Sequence, residues 1–349
     1  MRILIFGVYP PRLGGISIHL ERFHAFLKST NQQVTIVDYW NNEGAPSIKD
    51  VIRLPNGLSA KLVLLLQLTC QTTPDTIVHF HVAAMDRFKY VALPLLLFFW
   101  RQPKAISIHA GKITAAMDNW ANRFFLRTLS GGFRKIICVN EEQASFLHHC
   151  GISSDKLIVV PAFIPFEPIS SLLPNVLRSL RDQKTLVLCS GYLVDYYNLD
   201  VLIDCIPALD LGRYHFVFGF YGDVEPVTRD RVLGKLKKYS NTLIFRDQPP
   251  DIFAAIVAAC DIYVRTPFLD GDAITVREAL YLGKLVFASD CVRRPEQVYL
   301  FSATDRDSLL RLFQQHEQGL LKVSNTQDIH AADRILEIYQ DMIHSEPHG

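Results

Sequence analysis

The stretch from Asp261 to Asp290, DIYVRTPFLDGDAITVREALYLGKLVFASD, limits the fold of this chain more than any other. Ile262, Tyr263 and Val264 form the short apolar run of a buried strand. Pro267, Asp270, Gly271 and Asp272 make a loop. Ile274 to Leu282 predicts a helix, Gly283 its stop, and Leu285 to Ala288 a second strand. Two apolar strands joined through a helix make a right-handed parallel crossover. Sheets built this way bind ligands beyond the carboxyl ends of their strands, which is where Asp270, Gly271 and Asp272 fall. The amides of Ala273, Ile274 and Thr275 open the helix and favour an anion such as phosphate. A purely structural reading fits as well. Thr275 and Glu278 have the spacing of a capping box, and aspartates before a helix are ordinary caps.

The same strand–helix rhythm runs through the chain. Residues 2–8 predict a strand, and Ile16, Leu20, Phe23 and Leu27 have helical spacing. Between them Gly14 and Gly15 fit a tight turn. The turn lacks GxGxxG, which disfavours a nicotinamide cofactor. Further strands are expected at Gln33–Asp38, Thr76–Phe80, Ala105–Ile108, Lys135–Val139 and Leu157–Val160. Pro165, Pro168 and Pro174, with Ser170 and Ser171, mark a linker over 166–184. The rhythm then restarts at Thr185–Ser190, His215–Phe220 and Asn241–Phe245. We therefore expect one α/β domain over 1–165 and a second over 185–327. The closing segment 328–349 carries an amphipathic helix. At 349 residues, 49% hydrophobic and 20% charged, the chain has the size and composition of two packed domains.

The Asp261–Asp290 stretch resembles the signature of retaining glycosyltransferases of family 4. These enzymes carry an acid, seven residues and a glutamate, then Ala, a spacer, Gly and an apolar strand. Here the positions are Asp270, Glu278, Ala279, Gly283 and Leu285 to Ser289. The resemblance implies the GT-B fold: two Rossmann-like, doubly wound domains facing a cleft, with the last helix crossing back to the first domain. It implies a nucleotide-sugar donor and a glycan or lipid-linked acceptor, as in bacterial surface-polysaccharide and lipopolysaccharide synthesis. Asp270 would contact the donor sugar and Glu278 the nucleotide ribose. The backbone of Gly271, Asp272, Ala273, Ile274 and Thr275 would hold the diphosphate. Gly14 and Gly15 resemble the glycines after the family's first strand. His109, in His109-Ala-Gly at the end of a predicted strand, resembles the histidine that reaches the donor sugar. Gly191 resembles the glycine that opens the second domain's first turn.

At the donor-contacting positions the chain departs from the pattern in three places. Asp270 replaces Glu and is one methylene shorter. Tyr192 and Tyr197 stand where relatives carry an arginine and a lysine on the donor diphosphate. A tyrosine donates one hydrogen bond and carries no charge, so the leaving phosphate loses two cations, a kind of interaction that often dominates catalysis. Three explanations stay open: Arg265 or Arg277 substitutes, the helix amides suffice, or activity is low. Two other readings follow from the same departures, a non-catalytic carbohydrate- or nucleotide-binding protein and a sugar-nucleotide epimerase.

No cofactor and no metal is expected. Asp270-Gly271-Asp272 matches the DxD metal motif of GT-A transferases, but lies late in a second domain instead of following a single Rossmann-like half. His79 and His81 have no third ligand nearby in sequence. Seven cysteines without a CxxC pair suit a reducing, cytoplasmic setting, and the start reaches Pro10 too soon for a signal peptide. Nucleic acid is not an expected partner. Residues 1–170 hold 17 Lys/Arg against 11 Asp/Glu, the remainder 19 against 24. Tyr90–Trp100 is apolar with basic flanks and too short to span a bilayer. It is expected as a packed helix or as a peripheral contact with an anionic membrane surface.

Overall fold

The computed structural model describes residues 1–12, 14–40, 46–82, 98–109, 120–324 and 329–344. Positions 90–97 of the apolar segment and the Ala110-Gly111 step after His109 lie outside these residues. The chain divides into two compact units, 1–164 with 329–349, and 165–328.

The first unit is built on seven parallel strands: β1 (Arg2–Gly7), β2 (Gln33–Asp38), β3 (Val51–Arg53), β4 (Ile77–Val82), β5 (Lys104–Ile108), β6 (Lys135–Cys138) and β7 (Leu157–Val159). They lie in the order β3-β2-β1-β4-β5-β6-β7. Chain order reverses between β1 and β4, so their carboxyl ends flank a switch point of the kind that opens a crevice. Both faces of the sheet are covered, which is why β4 and β5 are buried throughout. One face packs Phe6, Val78, Phe80 and Ile106. The other packs Ile3, Ile5, Leu20, Phe23 and Ile36 with the last helix, Ala331–His344. That helix presents Ile335, Ile338, Tyr339 and Met342, an i, i+3, i+4, i+7 stripe, all buried. Arg334 donates to Val159 O at 2.9 Å, and Arg134 donates to Met342 O. The helix therefore completes the first core although residues 165–328, the whole of the other unit, come between in sequence.

The second unit holds six parallel strands: β8 (Thr185–Leu193), β9 (Tyr214–Val224), β10 (Thr242–Arg246), β11 (Ile262–Arg265), β12 (Leu285–Ser289) and β13 (Tyr299–Phe301). Their order is β10-β9-β8-β11-β12-β13, with the reversal between β8 and β11. The three-residue edge strands β3 and β13 have no apolar run long enough to announce them. The expected linker 166–184 is instead part of this unit: Leu173 and Leu177 enter the core with Leu186, Ile256 and Val286. Two buried leucines outweigh the prolines and serines that suggested a solvated tether.

Among the described residues no helix is long and apolar enough to cross a membrane. All seven thiols are free, five of them buried.

The last helix is anchored through His79 on β4, whose Nδ1 pairs with the Tyr339 hydroxyl and whose Nε2 pairs with Ser107 Oγ at 2.9 Å. Tyr339→Phe leaves the buried His79 Nδ1 without that partner. It should lower first-unit stability by about 1–3 kcal/mol, read by urea denaturation, and leave second-unit unfolding unchanged.

Candidate functional site

Loops follow β8 and β11 on either side of the second unit's switch point. Three bonds tie them together: Thr266 Oγ1 donates to Tyr197 O at 2.7 Å, Phe268 N to Tyr196 O at 2.9 Å, and Asn198 Nδ2 to Thr266 O at 3.3 Å. Asp270 sits at the end of the second loop. Its Oδ1 accepts from Arg265 Nη2 at 2.8 Å. Its Oδ2 accepts from Arg265 Nε at 2.9 Å and Arg294 Nη1 at 2.8 Å. Arg265 also donates to Ser190 O at 3.2 Å. The side chains of Arg265, Asp270 and Arg294 are 6, 8 and 2% exposed. Burial alone would raise the Asp270 carboxyl, but the two guanidinium groups outweigh it and hold it below the usual carboxylate range. Asp272 is held separately, by Arg277 Nε at 2.6 and 2.7 Å to its two oxygens. The five groups leave a formal charge of +1, from three arginines against two aspartates.

The next helix is Ile274–Tyr281. Its N-cap is Ala273, with no side-chain cap bond, and no carboxylate lies in its first turn. The capping-box reading fails here: Thr275 is already inside the helix, and Glu278, 3% exposed, lies past the first turn. The helix ends at Gly283 (φ 67°), where Lys284 N bonds back to Ala279 O at 2.9 Å, a closure that suits glycine. Gly271 thus separates two paired aspartates, and the opening residues Ala273 to Thr275 lie between Asp272 and its partner Arg277 in sequence.

Tyr192 lies near the end of β8, and Tyr196 and Tyr197 lie in the turn that follows it. Tyr197 is 7% exposed and stacks on Tyr192, ring centroids 5.1 Å apart. The Arg265 guanidinium lies 4.9 Å from the Tyr197 ring. A Cβ on Gly191 would stand 2.1 Å from Tyr197 Cδ1, so the glycine makes room for that ring. The structure brings Gly191, Tyr192, Tyr197, Arg265 and Asp270 together, with Tyr197 used as packing. Sequence reading flagged Arg265 and Arg277 and missed Arg294. Its signal was the Arg293-Arg294 pair just past β12, again at a strand's carboxyl end.

In the first unit, histidines gather at the corresponding switch point. His79 and His81 share one face of β4 because side chains alternate. His109 follows β5, and His19 lies on the helix Gly15–Ser29 that follows β1. Gly14 caps that helix with extended backbone, φ 171°, and no side-chain bond. His81 Nδ1 and His109 Nε2 are 2.9 Å apart, and His19 Nδ1 is 2.7 Å from Ala162 O. Ring centroids of His19, His81 and His109 are 5.0 to 5.2 Å apart pairwise. Burial lowers His19 to about 4 and His79 to about 3, and holds His81 and His109 well below 6.5. Two further histidines therefore stand beside His81, from positions 19 and 109. Sequence reading missed His19 because the fold alone joins it to His81.

No family model matches the chain, and no curated protein matches it. Solved structures do match over nearly its whole length. HepE from Anabaena in complex with UDP is 15% identical, TM-score 0.69, covering 98% of this chain and 96% of its own. A glycosyltransferase from Rickettsia africae is 14% identical, TM-score 0.74, with 99% of each chain covered. The catalytic domain of starch synthase IV from Arabidopsis thaliana, bound to ADP and acarbose, is 13% identical, TM-score 0.71, covering 98% and 99%. With two all-parallel sheets and interleaved helices, the fold is α/β of the GT-B type.

Two mutations test this site's construction. Asp270→Asn leaves Arg265 and Arg294 buried against a neutral group and should cost about 3–5 kcal/mol, seen as a lowered melting temperature of the second unit. Gly191→Ala should cost about 1–3 kcal/mol by overpacking. In a Tyr197→Ala background that cost should fall close to zero, because the clashing ring is gone, as a double-mutant cycle in urea would register.

Proposed function

We propose that the protein is a glycosyltransferase of the retaining type that takes a sugar from a nucleotide-sugar donor. The observation that carries the reading is the start of the helix Ile274–Tyr281, which has no side-chain cap and follows a loop whose two aspartates are outnumbered by the three arginines that hold them. A helix start of this kind suits a diphosphate. The GT-B fold, and the nucleotides with which HepE and starch synthase IV were crystallised, support the same choice.

In this reading the amides of Ala273, Ile274 and Thr275 receive the diphosphate. Arg265 and Arg294 supply the cationic field that Tyr192 and Tyr197 cannot. Asp270 is a positioning residue: both its oxygens hold arginines, and it fixes where that positive charge points. Glu278 accepts from the ribose. His109 stands where the resemblance puts the histidine on the donor sugar. Its Nε2 is engaged with His81, so the contact uses Nδ1. Charge growing on the leaving phosphate is stabilised where it forms, the electrostatic contribution that usually counts most. The transferred group is a hexose, the acceptor a glycan or lipid-linked glycan of a bacterial surface polysaccharide, and the setting the cytoplasmic side of the membrane. A binding protein without turnover is the second reading, favoured by the burial of Tyr197 at a position that the resemblance gives to a cation.

The test is a thermal-shift panel of UDP, ADP, GDP and their glucose conjugates, followed by assay of nucleoside diphosphate release. One nucleotide should raise the melting temperature, and Glu278→Gln should weaken its binding about tenfold, the equivalent of one hydrogen bond to a charged group. Product anomers read by NMR should keep the donor's configuration. Binding with no release, with or without a glycan acceptor, would select the second reading. No shift with any nucleotide would remove both.

A further inference from the structure

The histidines of the first unit are more than a packed cluster. His19, His81 and His109 each offer a ring nitrogen, and these three nitrogens lie within 4.8 Å of one another. They come from a helix, a strand and the residue after a strand, so three separate elements fix them. His19 Nδ1 faces the carbonyl oxygen of Ala162 at 2.7 Å. A carbonyl only accepts, so in the neutral ring Nδ1 carries the proton and Nε2 holds a bare lone pair. That Nε2 is buried and has no hydrogen-bond partner among the described residues, and the same holds for His81 Nε2. His19 and His81 are 2% and 0% exposed. Buried polar atoms are nearly always satisfied, and two orphaned imidazole nitrogens in one cluster point to a ligand.

The donor set says which ligand. It offers imidazole nitrogen and no carboxylate, which suits zinc-like transition ions over magnesium or calcium. A metal-bound histidine ordinarily donates its other ring N–H to a carbonyl or carboxylate, as His19 does to Ala162. Ligand nitrogens in a tetrahedral site stand about 3.3 Å apart, from metal–nitrogen distances near 2.05 Å. Closing the observed spacing takes ring shifts on the order of 1 Å. Three protein nitrogens leave a fourth position open.

The geometry points to a divalent transition-metal site formed by His19, His81 and His109 at the carboxyl ends of β4 and β5. It is independent of the transferase reading, because a metal is counted without any nucleotide. In the metal-bound state the hydrogen bond between His81 Nδ1 and His109 Nε2 gives way to coordination.

The experiment uses the full chain without a histidine tag, stripped with chelator and titrated with Co2+ and separately with Zn2+. Folding is followed by circular dichroism. One equivalent per chain by elemental analysis is expected, with the visible bands of tetrahedral Co2+. His19→Ala and His81→Ala should each weaken cobalt binding about 100-fold or more, beyond what an outer-shell change produces. Folded wild-type protein that binds well under one equivalent of either ion overturns the proposal without recourse to a variant. Cobalt binding that both substitutions leave unchanged also overturns it.

Discussion

One carboxylate holding two buried guanidinium groups organises the second unit's candidate site. Asp270 accepts three hydrogen bonds from Arg265 and Arg294, and almost no solvent reaches the group. Charges removed from water in this way are tolerated only when paired, because desolvation otherwise exceeds any gain. The pairing fixes the rest. Arg265 bridges to Ser190 on β8 and lies against Tyr197, so the two loops flanking the switch point cannot move apart without breaking it. The bonds of Thr266 and Phe268 to the tyrosine loop then lock the same juncture.

The substitutions that first weaken the sequence resemblance gain a physical account from this arrangement. Where the resemblance expects two cations, Tyr192 and Tyr197 are stacked rings, and Gly191 gives Tyr197 space. Positive charge stands across the switch point, on Arg265 and, in the loop after β12, on Arg294. Two arginines restrained by an aspartate give a field of fixed direction.

Much of the fold was legible because parallel strands covered on both faces are nearly continuous apolar runs. RILIFG, IVHFHV and LVFAS each announce themselves, and the strand–helix alternation implies the crossovers. The short edge strands β3 and β13 escape this logic, as do 166–184, where Leu173 and Leu177 decide the outcome against prolines and serines. The capping-box spacing of Thr275 and Glu278 misleads for a related reason: a spacing rule does not know where the helix starts, and Ala273 rather than Thr275 caps it.

Sequence alone determined the repeated α/β pattern, the acidic loop before a helix start, and Gly191, Asp270 and Glu278 as the positions to watch. Those features are local, and a few consecutive residues suffice to encode them. Tertiary structure alone decided that Arg294 shares Asp270 with Arg265, that Tyr339 closes the first core on His79, and that His19 meets His81 and His109. Each of these joins residues about 24 to 260 positions apart, and their partners are set by strand order and packing, which no short window of sequence contains.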